Sequence, residues 1–154
     1  MADDKYDFSE MFDKSGGKPI QFKGKTLVAW DPFPLHGNEV RLKIRFVSTN
    51  SEWRQGIGLD VDGEFDFFRA RLFPKGVVLW EDTAPTELEF ICRSSSGVLD
   101  VKNVWDTGDG CVESWYYGAA MWVEEIPGGR RYHCNDGHPD DNFDDIIFEL
   151  TRVD

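Results

Sequence analysis

A stretch of regular alternation constrains the fold more than any other feature of this sequence. In residues 39–48, EVRLKIRFVS, apolar residues at 40, 42, 44 and 46 alternate with charged residues at 39, 41, 43 and 45. Successive side chains of a β-strand point to opposite faces, so this period of two predicts a strand with one buried and one charged face.

Further strand-like segments follow at short spacing. Residues 55–61 place Ile57, Leu59 and Val61 on one face, and the Asp62-Gly63 dipeptide after them is typical of a tight hairpin turn. The other predicted strands are 64–73, 76–80, 87–93, 98–105, 112–124, 130–134 and 145–152. About nine or ten strands without a long helical period predict an all-β fold, a Greek-key or immunoglobulin-like β-sandwich of antiparallel strands.

The chain length of 154 residues fits a single domain. Residues 1–19 are polar and acidic and end in Ser15-Gly16-Gly17-Lys18-Pro19, which predicts a flexible N-terminal arm. Within this arm, residues 7–12 are suited to one helical turn. The β-sandwich domain is then expected to span residues 20–154.

The charge balance excludes several classes of partner. The chain has 29 acidic and 17 basic residues and a formal net charge of −12, which argues against nucleic acid and against anionic membranes. It contains no apolar segment of about 20 residues that would predict a membrane span. The first residues lack the features of a secretion signal, so we expect a cytoplasmic location, with export in a mature form as the alternative.

The three cysteines, Cys92, Cys111 and Cys134, do not form the pattern of a disulfide framework, because their number is odd and no paired spacing occurs. Buried reduced thiols are expected, and one bridge plus one free thiol is the alternative.

An acidic segment precedes the last predicted strand. Residues 135–145 read NDGHPDDNFDD, and so many carboxylates on one short loop repel each other unless a cation or a basic partner is bound there. Carboxylate oxygens suit Ca²⁺. We therefore predict Asp136, Asp140, Asp141 and Asp144 as metal ligands. A solvated loop with local side-chain turns and a contact surface for a basic protein are the alternatives.

The aromatic residues point to a second kind of site. Of six tryptophans, Trp53 and Trp105 are predicted at strand–loop junctions among polar neighbours, and Asp106 follows the second. A sugar ring can stack on such an indole while its hydroxyl groups bind nearby polar groups, so these three residues are predicted ligand contacts. The alternative is that each tryptophan fills the core.

The middle of the chain also resembles a known family. VRLKIRFVSTNSEW at 40–53, DFFR at 66–69, LEFIC at 88–92 and LDVKNVWD at 99–106 occur in the order seen in starch- and glycogen-binding carbohydrate-binding modules. The resemblance covers residues 38–110 and implies an immunoglobulin-like β-sandwich without catalytic activity, in which stacked aromatic residues hold an α-glucan. Trp53, Trp105 and Asp106 match as candidate sugar contacts. Thr107-Gly108 stands where the family has two asparagines, so its ligand-binding amides are missing.

These patterns together predict a non-catalytic, lectin-like module that binds a glycan with assistance from Ca²⁺. Two alternatives remain open. One is an acidic immunity or interaction protein that neutralises a basic partner protein by charge complementarity. The other is a small β-sandwich hydrolase or isomerase that uses His133 or His138 with Asp136 or Asp144.

Overall fold

The computed structural model describes residues 6–68 and 72–153. Its elements in chain order are α1 (Phe8–Lys14), β1 (Ile20–Phe22), β2 (Lys25–Val28), β3 (Asp31–Pro34), β4 (Glu39–Thr49), β5 (Arg54–Asp66), β6 (Leu72–Trp80), β7 (Glu87–Asp106), β8 (Ala120–Ile126), β9 (Gly129–Asn135) and β10 (Ile146–Arg152). The predicted all-β fold is confirmed. Among the described residues, no helix has the length and apolar character needed to cross a bilayer.

The strands form one antiparallel sheet in the order β1-β2-β8-β9-β10-β4-β7-β5-β6. The long strand β7 organises this sheet because it pairs with three others. Residues 87–93 of β7 pair with β4, residues 98–101 pair with β3, and β5 runs along the opposite edge. The predicted strands 87–93 and 98–105 are therefore parts of one continuous strand.

The sheet folds over so that strands without direct pairing face each other. The Tyr132 hydroxyl of β9 donates a hydrogen bond to Asp31 of β3 at 2.6 Å. The Asn103 amide of β7 donates to the backbone carbonyl of Asn135 at 2.8 Å. One apolar core lies between the two halves, and it contains the predicted inward residues Leu42, Ile44, Phe46, Ile146, Phe148 and Leu150.

The predicted hairpin at Asp62-Gly63 is wrong. Strand β5 continues through this dipeptide to Asp66, with an irregularity in its pairing to β7 between Val61 and Gly63. A Cβ atom on Gly63 would lie 1.9 Å from the carbonyl oxygen of Arg93, so a side chain there would overlap the neighbouring strand. This glycine permits a close backbone approach at a bulge, and its presence does not signal a turn.

The N-terminal segment packs on the sheet through α1. The Asp7 carboxylate caps this helix by accepting a hydrogen bond from the backbone N–H of Glu10 at 3.0 Å. Phe8 and Phe12 are buried in a second apolar cluster together with Leu27 of β2. Part of the predicted flexible arm is thus anchored by apolar burial, while residues 1–5 lie outside the described residues.

All three cysteines are free thiols, so the alternative with one disulfide bridge is not found. Cys92 and Cys134 are buried as predicted, and burial raises the pKa of the Cys92 thiol to about 12. Cys111 is exposed, which corrects the prediction for that residue. The nearby charge of Asp109, followed by a smaller effect of desolvation, raises the pKa of the Cys111 thiol.

Candidate functional site

Trp105 and Asp106 have structural roles at the end of β7. Trp105 is only 1% exposed, and its ring packs close to Gly137, so the prediction that it is a surface platform is wrong. The Asp106 carboxylate accepts hydrogen bonds from the backbone N–H groups of Gly108 and Gly110 at 2.7 and 3.1 Å. Asp106 therefore shapes the loop that follows the strand.

Trp53 is half-buried and stacks on His138, with ring centroids 3.9 Å apart. Nδ1 of His138 lies 2.6 Å from Oδ1 of Asp136, and Nε2 lies 3.0 Å from a carboxylate oxygen of Glu52. Burial alone would lower the pKa of His138, but the two carboxylates outweigh it and raise the pKa. Because both ring nitrogens are bound, acid–base chemistry by His138 would require Glu52 to move away.

Asp136 anchors the acidic loop to the connection between β4 and β5. It is fully buried, and it accepts hydrogen bonds from the Ser51 hydroxyl at 2.6 Å and the Gln55 amide at 2.9 Å. Asp136, His138 and Asp145 each place one possible metal-ligating atom within 4.8 Å of the others. This is the group of three that the structure brings together among the described residues, and it includes one of the four predicted metal ligands.

The other three predicted ligands have protein partners of their own. The Asp141 carboxylate forms an ion pair with Lys23 at 2.8 Å. The Asp140 carboxylate accepts a hydrogen bond from the backbone N–H of Asn142 at 3.2 Å, and Asp144 Oδ2 accepts one from Asn50 at 3.0 Å. Among the described residues, Oδ1 of Asp144 is buried without a hydrogen-bond partner, so it is the oxygen that this loop offers most readily to a cation.

Asp145 makes the stability of this region dependent on pH. Burial, opposed by a hydrogen bond from the backbone N–H of Asp136, raises the pKa of its carboxyl from 3.8 to about 7. The folded protein therefore holds a proton that the unfolded chain loses above its lower pKa. This contribution to stability is complete below the unfolded pKa and falls by about 1.4 kcal/mol per pH unit until the pH reaches the folded pKa.

We expect Asp145→Asn to remove this dependence, because the amide does not titrate. Urea unfolding followed from about pH 5 to about pH 7 should show a shallower loss of stability in the variant than in the wild type. His138 titrates in the same direction in both proteins, because its pKa is also raised. Equal slopes for the two proteins would contradict the assignment.

Two other tryptophans, Trp30 and Trp115, form an exposed aromatic pair. Trp30 lies between β2 and β3. Trp115 lies in the loop 107–119, because the strand predicted over residues 112–124 begins only at Ala120, as β8. Their side chains are 38% and 52% exposed, and their ring centroids lie 5.6 Å apart with the planes at 47°. Large aromatic surfaces are usually buried, so such a pair marks a candidate ligand-binding surface.

Three surface grooves border Trp30, and two of them are also lined by Trp115. One of them, the β5–β7 groove, has a volume of about 370 Å³. It is lined by Trp30, Trp115, Asp60, Asp100, Val101 and Lys102. Two others, of about 310 and 340 Å³, run beside Gly16 and Gly17 after α1. The ammonium group of Lys102 lies 4.7 Å from the centroid of the Trp115 ring.

Two carboxylates lie side by side on the floor of the β5–β7 groove. Asp60 of β5 and Asp100 of β7 are direct partners in the strand register, on the face opposite the buried Leu59 and Val101. Burial, followed by the charges of Asp60 and Asp31, raises the pKa of Asp100. The groove therefore combines aromatic surface with closely spaced hydrogen-bond acceptors.

The sequence contained only a weak signal for this groove. Trp115 is followed by Tyr116, Tyr117 and Gly118, a run that breaks the alternation expected of a strand and so indicates a loop.

No protein-family model matches the chain, and neither a curated protein nor a solved structure matches it.

Proposed function

We propose that this domain is a non-catalytic binding module that recognises a glycan in the β5–β7 groove. The observation that carries the proposal is the exposed pair of Trp30 and Trp115, which together line the β5–β7 groove and a second groove beside α1. The predicted glycan contacts thus move from Trp53, Trp105 and Asp106 to a different part of the surface.

The chemistry of the groove suits a sugar. The C–H face of a pyranose ring can cover the apolar indole surface, and its hydroxyl groups can donate to the carboxylates of Asp60 and Asp100. Lys102 supplies donors on the same face. Aromatic rings provide this contact area with little loss of conformational entropy, because each has only two side-chain torsions.

A glycan array tests the proposal, with α-glucans, β-glucans and amino-sugar polymers among the immobilised ligands. Binding to at least one class, followed by saturable heat in isothermal titration calorimetry, is the expected result. If no immobilised glycan retains the wild-type protein, with or without Ca²⁺, the proposal fails.

That Ca²⁺ bound in the acidic loop, residues 135–145, assists glycan binding stays a prediction from the sequence. The support for it is Asp144 Oδ1, which has no hydrogen-bond partner among the described residues and is adjacent in sequence to the buried Asp145. A cation that binds only the folded protein raises its melting temperature, so CaCl₂ should do so in the wild type and less in Asp144→Asn. An unchanged melting temperature at millimolar CaCl₂ would remove Ca²⁺ from the mechanism.

A second candidate function, neutralisation of a basic partner protein, is favoured by the charge of the loop after β7. Asp109, Glu113 and Asp106 all raise the pKa of the Cys111 thiol, which reflects their combined negative potential in an exposed segment. Tyr116 in the same loop is 64% exposed and could supply an apolar contact at the centre of such an interface.

This candidate is tested by comparing the partners captured by two forms of the protein. A basic protein should be recovered with the wild type and lost with the double variant Asp109→Asn/Glu113→Gln, because rim charges govern the association rate. A toxin gene directly upstream of the coding sequence would also favour it. Recovery of the same proteins with both forms would count against it.

A further inference from the structure

The two carboxylates of the β5–β7 groove are unusually placed. Residues directly opposite each other in an antiparallel pair have closely spaced side chains, and two like charges in these positions destabilise the sheet. Asp60 and Asp100 occupy such positions. Among the described residues, neither carboxylate forms a hydrogen bond or ion pair with another side chain, although the outer faces of neighbouring strands contain many such pairs, such as Arg41 with Glu89.

Lys102 does not neutralise them. It follows Asp100 by two positions on β7 and shares its face, but its ammonium group lies against the Trp115 ring. The charged groups that line the groove are thus two carboxylates and one ammonium, which leaves an excess of negative charge. The same contact demonstrates that an ammonium group can pack against this aromatic surface.

From this arrangement we infer that the groove selects a cationic amino sugar of the glucosamine type. Its ammonium group would lie between Asp60 and Asp100, while a pyranose ring covers Trp30 or Trp115. The inference rests on the proposed glycan-binding function and adds the class of sugar. The hydroxyl groups of a neutral glycan can donate to the two carboxylates but leave their charges uncompensated, whereas an ammonium group supplies both the donors and the opposite charge.

Three β-1,4-linked tetrasaccharides, of glucosamine, N-acetylglucosamine and glucose, provide a matched test by isothermal titration calorimetry. N-acetylation removes the positive charge and keeps the linkage. The glucosamine tetrasaccharide should bind on the order of tenfold more tightly than the other two, and high salt should reduce this difference. Spermidine carries ammonium groups without a sugar ring and should bind more weakly than the glucosamine tetrasaccharide.

Two variants locate the effect. Asp60→Asn and Asp100→Asn should each weaken binding of the glucosamine tetrasaccharide more than binding of the neutral tetrasaccharides, because an amide oxygen still accepts a hydrogen bond from a hydroxyl group but carries no charge. The matched control is Asp62→Asn, which makes the same charge change on the same strand. Asp62 lies outside the groove lining, and its amide replacement can still accept the hydrogen bond from Ser95. Melting temperatures check that each variant is folded.

The outcomes separate the inference from the function on which it rests. Equal affinity for the three tetrasaccharides, or an equal effect of Asp62→Asn, would overturn the amino-sugar inference and leave the glycan site intact. Spermidine binding as tight as that of the glucosamine tetrasaccharide would also overturn it. If no glycan of any class binds to the wild type, the proposed function itself fails, and the inference fails with it.

Discussion

Replacing Asp136 with alanine should lower the free energy of unfolding by about 3–5 kcal/mol. The carboxylate is fully buried and accepts hydrogen bonds from Ser51, Gln55 and both the ring and the backbone of His138. Alanine would leave the buried Gln55 amide and the partly buried donors of Ser51 and His138 without this acceptor. Urea unfolding monitored by tryptophan fluorescence measures the change.

Asp141→Ala is the matched control, because it removes a carboxylate from the same loop. The side chain of Asp141 is partly exposed and pairs with the exposed Lys23, so its loss should be much less destabilising. A loss of stability in Asp136→Ala no greater than in Asp141→Ala would show that the acidic loop is not anchored through Asp136.

Trp115→Ala should weaken binding of an oligosaccharide identified on the glycan array by about 30-fold, the effect of an aromatic contact worth about 2 kcal/mol. The Trp115 ring is half exposed, so its removal should leave the melting temperature nearly unchanged. Calorimetric titration gives the affinity, and thermal unfolding gives the stability.

Tyr116→Ala is the control for this second prediction. Tyr116 is adjacent in sequence and more exposed, but it does not line the three grooves. It should bind the oligosaccharide with nearly wild-type affinity. Equal losses in the two variants would place the glycan on the loop itself, and a loss in neither would exclude the aromatic pair as the binding surface.

Local sequence predicted the strands whose two faces differ in polarity. Leu42, Ile44 and Phe46 of β4 and Ile146 and Phe148 of β10 are buried as their spacing indicates. The period of two is a property of the strand itself, so it can be recognised without knowledge of the partner strand.

The Asp62-Gly63 dipeptide predicts a turn where the structure has a continuous strand, because a glycine can serve more than one purpose. A glycine permits a turn, and it also permits two backbones to approach closely. The second reason applies here, and it depends on Arg93, which is 30 residues further along the chain. A pattern confined to neighbouring residues contains no information about that contact.

Local sequence patterns also do not predict which tryptophans are exposed. Trp105 and Trp115 both lie among polar residues in the sequence, yet one fills the core and the other lines a groove. The difference arises from long-range packing, because Trp105 is covered by Gly137 of the acidic loop and Trp115 meets Trp30 from the turn before β3. The exposure of each tryptophan therefore depends on the topology of the fold and not on its neighbours in the sequence.

Cys111 provides an attachment point for a fluorescent reporter near Trp115 of the aromatic pair in the sequence. It is exposed and precedes Trp115 by four residues, whereas Cys92 and Cys134 are buried. A thiol-reactive dye would therefore couple selectively at Cys111. Because the neighbouring carboxylates raise the pKa of this thiol, its thiolate fraction at neutral pH is small, and coupling calls for a mildly alkaline buffer. The unaltered chain could then signal the arrival of a ligand by a change in emission.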